Sequence, residues 1–160
     1  PRPMDGFLLL KKLSLLGFII PELEDAFGVE QNQAHSYDVW THLLKTLQHS
    51  ADKDYPLHVR LSALFHDIAK PATRRWNNET KQWTFYGHEV IGSRVTEKIL
   101  ERLKFSRETI DKVVKLVRWH MFFSDTEEIT HSAVRRLVAN VGKDNVWDLM
   151  NVRVLSLIHI

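Results

Sequence analysis

The stretch Leu61-Ser-Ala-Leu-Phe-His-Asp-Ile-Ala69 constrains this chain more than any other, because it is apolar enough to be a buried helix yet carries an imidazole and a carboxylate side by side. Left without partners in a core, His66 and Asp67 cost several kcal/mol. A divalent cation removes that cost, since it binds neutral imidazole and ionised carboxylate together and neutralises the charge. Three more histidines lie within or beside apolar helical patterns, His42 upstream and His88 and His120 downstream. Taken singly, each reads as a hydrogen-bonded structural residue before it reads as a ligand. The doublet in an apolar helix, joined by imidazoles from separate helices, points instead to a metal site inside a helical bundle.

The apolar period is helical nearly throughout. Met4–Leu16 reads as a first helix closed by Gly17, and Pro21–Gly28 as a short helix with Pro at its start and Gly at its end. Gln31–His35 is a polar loop, after which Ser36 or Asp38 can cap a helix running to about His49, striped by Trp40, Leu43, Leu44 and Leu47. Pro56 opens a central helix expected to stop near Lys70-Pro71. Its stripe is Leu57, Leu61, Leu64, Phe65 and Ile68, while Val59 and Ala63 lie opposite, so neighbours are expected on both sides. Residues 73–86 break the pattern, and Trp76-Asn-Asn-Glu-Thr-Lys-Gln-Trp83 suggests a small hairpin or extended excursion. Four more helices follow: His88–Leu103, one after a Ser106 cap carrying Ile110, Val113, Val114, Val117 and Met121, then Thr130–Asn140 and Lys143–Val154. The predicted fold is an all-α bundle of about seven helices with one excursion near 73–86.

Composition narrows the chemistry. The 160 residues fit one domain. There is no cysteine, which excludes disulfides and thiolate metal sites and leaves His, Asp and Glu as strong ligands. A formal net charge of +2 permits a nucleic-acid partner without arguing for one. No apolar run approaches the roughly 20 residues of a membrane span; Leu8–Leu10 and Leu13–Ile20 are separated by Lys11-Lys12. No membrane partner is expected, the cytoplasm is the expected compartment, and the oligomeric state is left unassigned. Pro1-Arg-Pro lacks an initiator Met, so a preceding segment is expected. Residues 155–160, Leu-Ser-Leu-Ile-His-Ile, break off the pattern and are read as a non-native tail, the translated read-through of a transposase sequencing adapter.

Adjacent helical residues point about 100° apart, so His66 and Asp67 converge best on a cation at a helix end. Asp67, with two oxygens, can also bridge two ions, the arrangement of two-metal hydrolases. Lys70, Arg74 and Arg75 follow closely and can hold a substrate phosphate, or form a solvated basic loop. Trp76, Trp83 and Tyr86 interleave with them, either as an RNA-stacking surface or as cross-strand packing of a hairpin. His35 reads as a residue behind the ligands or at a helix start, and His49, His58 and His131 as surface residues. Lys11-Lys12 and Arg135-Arg136 read as solvated faces. Oxygen and nitrogen ligation suits Mn, Fe, Co, Ni, Zn or Mg, as one ion or two.

The order His42, His66-Asp67, His88, His120 is similar to that of the HD-domain superfamily of metal-dependent phosphohydrolases. Leu64-Phe-His-Asp-Ile-Ala-Lys-Pro71 and Phe85-Tyr-Gly-His-Glu-Val-Ile-Gly92 resemble its central motifs. Leu13–Leu23 and Gly28–His42 resemble the connector and HD portion of bacterial CCA-adding tRNA nucleotidyltransferases and related poly(A) polymerases. The resemblance implies connector helices at 1–34 and an HD domain at 35–154. It implies a first ion on His42, His66 and Asp67, a second on Asp67, His88 and His120, a phosphodiester or phosphomonoester substrate, and tRNA as a partner. It also implies an Asp just after Val154, where this chain has Leu155-Ser156. The polymerase head of such enzymes is not among these residues, so nucleotide addition is not expected of them. The competing expectation is a non-catalytic, RNA-supporting helical scaffold.

Overall fold

Helix termini, more than helix faces, shape this molecule. The computed structural model describes residues 1–32, 36–124 and 129–157. Among them the fold is all-α apart from one hairpin: α1 (Pro3–Lys12), α2 (Leu16–Ile19), α3 (Pro21–Glu24), α4 (Val39–Asp52), α5 (Leu57–Phe65), α6 (Lys70–Thr73), β1 (Arg75–Asn77), β2 (Gln82–Thr84), α7 (His88–Arg102), α8 (Arg107–Trp119), α9 (His131–Val141), a 3-10 turn (Lys143–Asn145) and α10 (Val146–Leu157). Seven of these helices run for nine residues or more. The hairpin is antiparallel, with Trp76 opposite Trp83 and their rings edge to face at 5.1 Å. No described helix is long and apolar enough to cross a membrane.

Several boundaries differ from the sequence expectation, each for a local reason. The first helix ends at Lys12 rather than Leu16. Ser14 adopts φ 58°, and Ser14 N–H and Leu15 N–H donate to the carbonyls of Lys11 and Leu10. That is a Schellman stop with serine where glycine is usual, so Gly17 falls inside α2 instead of closing α1. Asp54 after α4 and Lys104 after α7 stop their helices in the same way, at φ 54° and 62°. The central helix ends at Phe65 rather than near Lys70. Ile68 N–H donates to Phe65 and Lys70 N–H to Asp67, three-residue turns that replace the α-helical ladder while Ile68 and Ala69 stay buried. Leu57, expected in the apolar stripe of its helix, is exposed because it lies in the first turn of α5.

Two apolar clusters meet on α5 and α8. One is built from α2–α5, α7 and α8 around Leu16, Leu43, Leu44, Phe65, Ile99 and Val113. The other packs Val59 and Ala63 of α5 and Leu116 of α8 against Leu137, Val141, Leu149, Val152 and Leu155 of α9 and α10. The two-sided α5 anticipated from its pattern is thus what the fold contains. Leu155 and Ser156, expected in the tail, lie in the last turn of α10 and are buried.

Gly92 of α7 lets that helix lie close to Ile68, Ala69 and Val117; a Cβ there would stand 3.6–3.7 Å from them, ordinary contact. Gly92→Ala is therefore expected to fit and to stabilise by up to about 1 kcal/mol through helix propensity. Gly92→Leu should overpack and destabilise by about 1–3 kcal/mol. Urea unfolding midpoints of the two variants check this.

Candidate metal centre

Each candidate ligand is aimed by its local backbone. Asp38 caps α4: one oxygen accepts from Thr41 N–H at 2.9 Å and the other from Gly28 N–H at 2.7 Å. This fixes the first turn that carries His42. His66 is the residue where α5 ends, His88 opens α7 behind Gly87 at φ 76°, and His120 is where α8 ends. In all three the ring Nδ1 donates to the carbonyl three residues earlier: Ala63 at 2.8 Å, Phe85 at 2.8 Å and Val117 at 2.6 Å. A carbonyl can only accept, so these contacts place the proton on Nδ1 and turn Nε2, with its lone pair, inward.

The four Nε2 atoms sort into two pairs, one on each oxygen of Asp67. His42 and His66 lie 3.4 and 3.2 Å from Oδ2 and 3.0 Å from each other. His88 and His120 lie 3.2 and 3.6 Å from Oδ1 and 3.2 Å from each other. All five residues are buried. His42, read from sequence as lying within or beside an apolar stripe, is 1% exposed, with its ring against His66 at the end of α5. Two sets, His42, His66 and Asp67, and Asp67, His88 and His120, have ligand atoms near enough to share an ion.

The donor chemistry fits a divalent cation. His88 and His120 both spend their Nδ1 protons on carbonyls, so their Nε2 atoms and Oδ1 would be three acceptors face to face. Only a cation or an added proton makes that arrangement favourable. The titration behaviour agrees. Burial lowers the pKa of His88, but the hydrogen bond and charge of Asp67 outweigh it and leave it raised above 6.5. Burial also dominates His66, pushing it down to about 4 against the charge of Asp67. Asp67 is opposed by its own burial, yet His66, Lys70, His120 and His42 hold it well below the ordinary carboxylate range.

The centre lies in the wall of a 680 Å³ cavity. Lys70 is also there, its Nζ 2.9 Å from Asp67 Oδ2. Arg74 and Arg75, expected beside it, are not brought into the cavity wall: the Arg74 guanidinium stacks on Trp83 at 3.7 Å, and Arg75 is exposed with its guanidinium donating to the Arg74 carbonyl. The facing wall is the hairpin, with Asn77, Thr80, Gln82 and Thr84. Arg153 was not anticipated in this cavity, whereas Ser156 stands where the resemblance implies an Asp. Arg153 and Ser156 sit three apart on α10, and an arginine one turn before a small polar residue on a buried helix was the available signal. His58, expected at the surface, is half-buried and bonded to Asp148 of α10 at 2.6 Å. His35 lies outside the described residues.

A family model described as HD domain matches residues 33–151. A CC-adding tRNA nucleotidyltransferase of Thermus thermophilus is 38% identical over 123 residues, covering 76% of this chain and 28% of its own length. An A-adding tRNA nucleotidyltransferase of Deinococcus radiodurans is 33% identical over the same number, again 76% and 28%. A multifunctional CCA protein of Ectopseudomonas mendocina is 30% identical over 141 residues, covering 86% of this chain and 33% of its own length. The chain thus spans about a third or less of these relatives.

The two histidine shifts predict a stability optimum for metal-free protein near pH 6.5. Above it, His88 loses in the folded state the proton its raised pKa retains, and that stabilisation disappears as pH rises through the folded value. Between 6.5 and about 4, unfolded chains take up a proton at His66 that the folded state refuses, so stability falls with pH. Melting temperatures in chelator across pH 4–8 should trace this dome. A divalent ion should shift the high-pH limb upward, because it replaces the proton on His88.

Proposed function

This chain belongs to the HD-domain family, and on that premise we propose that it is a metal-dependent phosphohydrolase acting on a phosphodiester or phosphomonoester. In this reading it is the helical HD part of a longer, cytoplasmic tRNA nucleotidyltransferase-like protein, with tRNA as its partner. The observation that carries the reading is the convergence of four imidazole Nε2 atoms on the two oxygens of one buried carboxylate, with His66, Asp67, His88 and His120 lining a cavity.

His42, His66 and Asp67 would hold one ion, and Asp67, His88 and His120 another. When bound, such an ion supplies Lewis acidity to a phosphoryl oxygen and lowers the pKa of water toward neutrality. The protein does the rest. The three Nδ1–carbonyl bonds hold the rings against rotation, so the donor set is organised before anything binds. The Lys70 ammonium can offset charge on a phosphate oxygen, and Arg153 presents a second cation to the same cavity from α10. The uncharged hairpin wall of Asn77, Thr80, Gln82 and Thr84 suits the polar organic part of an ester. Ser156 lies where the family resemblance implies a carboxylate, and it lines this cavity with His66 and Asp67.

Purified protein is expected to hydrolyse bis(4-nitrophenyl) phosphate with Mn²⁺, Co²⁺ or Ni²⁺ and to stop in chelator. Asp67→Asn, which keeps the shape and removes the charge, should lower kcat/KM by about 100-fold or more. Turnover that ignores chelator, or a fully active Asp67→Asn, would overturn the reading. Ser156→Asp adds a carboxylate to the wall and should tighten ion binding roughly tenfold or more, read by calorimetry.

One observation favours a second reading as a non-catalytic, RNA-supporting scaffold: Ser156 offers no carboxylate to the centre. In that case tRNA should shift in electrophoresis with an affinity that falls steeply with salt, while phosphoester turnover stays absent even in Ser156→Asp.

A further inference from the structure

The two oxygens of Asp67 stand in different electrostatic surroundings. Each offers the same ligand count, one carboxylate oxygen with two imidazoles, so counting does not separate them. A lysine does. Lys70 Nζ donates to Oδ2 at 2.9 Å and, on its other side, to Gln31 Oε1 at 2.6 Å. It also lies 5.3 Å from the centroid of the Phe85 ring. Both Lys70 and Gln31 are buried, at 6% and 7% exposure. Gln31 is itself fixed, because its amide nitrogen donates to the Tyr37 carbonyl at 3.0 Å and so turns its oxygen toward Lys70. Oδ2 is the oxygen nearest Lys70, as it is the one nearest His42 and His66, whereas Oδ1 is the one nearest His88 and His120.

An ammonium bonded to Oδ2 draws on the electron density an ion would need there, and repels any dication bound to the same oxygen. The repulsion is weakly screened because the site is buried. Lys70 cannot swing aside freely, since Gln31 holds it from behind. Resting on the metal centre of the reading above, and reversing the order in which the resemblance names the two ions, we propose that Asp67 Oδ1, His88 and His120 take the first ion. Lys70, braced by Gln31, makes Oδ2, His42 and His66 the weaker, second half. Gln31 is then a positioning residue: it touches no ligand, yet through Lys70 it sets the order in which the centre fills.

The order can be read without any turnover. Metal-free wild-type chain, with ¹⁵N-labelled histidines, is titrated with Zn²⁺ and the ring nitrogens are followed by NMR. The first equivalent should shift Nε2 of His88 and His120. Those of His42 and His66 should follow only with an affinity at least tenfold weaker, or remain unshifted. Lys70→Met removes the charge at similar length and should tighten the second site at least tenfold while changing the first less than threefold. Gln31→Leu should move the second site in the same direction by a smaller factor. Simultaneous loading of both halves, loading of His42 and His66 first, or an unchanged gap in Lys70→Met would each overturn the proposal. Ordered loading in a protein that hydrolyses no phosphoester would leave the proposal standing and remove only the enzymatic reading. Absence of Zn²⁺ binding at either half would overturn both.

Discussion

One buried carboxylate organises this protein. Asp67 faces an imidazole nitrogen of each of four histidines and an ammonium, all within 3.6 Å of its two oxygens. Alone at such depth it would be protonated or would destabilise the core. Surrounded as it is, it stays ionised and ties α4, the end of α5, the start of α7 and the end of α8 to a single point. Removing one member leaves the others short of a partner, so the cluster acts as a unit rather than as five separate contacts.

The helices serve this cluster chiefly through their ends. A histidine at a terminus can bond its Nδ1 to a carbonyl three residues back, because the backbone there turns and frees an acceptor. His66, His88 and His120 all use that device. It sets the tautomer with atoms from the same short segment, so each ring is oriented locally before long-range packing assembles the centre. Gly87 and the tight turns over 66–70 provide the required bends. The apolar clusters on either side of α5 and α8 then hold these termini in register.

Much of this was legible in the residues. The His66-Asp67 pair in an apolar run announced that a core had to accommodate charge, and the two-sided pattern of Val59, Ala63, Leu61 and Leu64 announced a helix between neighbours. The hairpin between Trp76 and Trp83 was readable from its polar tip and flanking aromatics. Helix stops at Ser14 and Asp54 were not, because left-handed caps ordinarily carry glycine and these carry none, whereas the helix ending before Lys104 was placed to within a residue. The early end of α5 was hidden for another reason: Ile68 and Ala69 remain buried after the helix has stopped, so the apolar stripe outlasts the helical backbone. Arg74 and Arg75 looked equivalent to Lys70 in sequence, but the hairpin carries their side chains away from the cavity.

By itself the sequence determined the helical class, the ligand chemistry available without cysteine, and the positions of the polar residues a core would have to neutralise, since these follow from side-chain type and spacing. Which atoms pair with which was decided only in three dimensions. The split of four imidazoles between Oδ1 and Oδ2, the bond of Lys70, itself held by Gln31, to Oδ2, and the arrival of Arg153 and Ser156 from α10 all depend on how distant helices cross. Periodicity describes one helix at a time, whereas a shared charge is a property of the elements that enclose it.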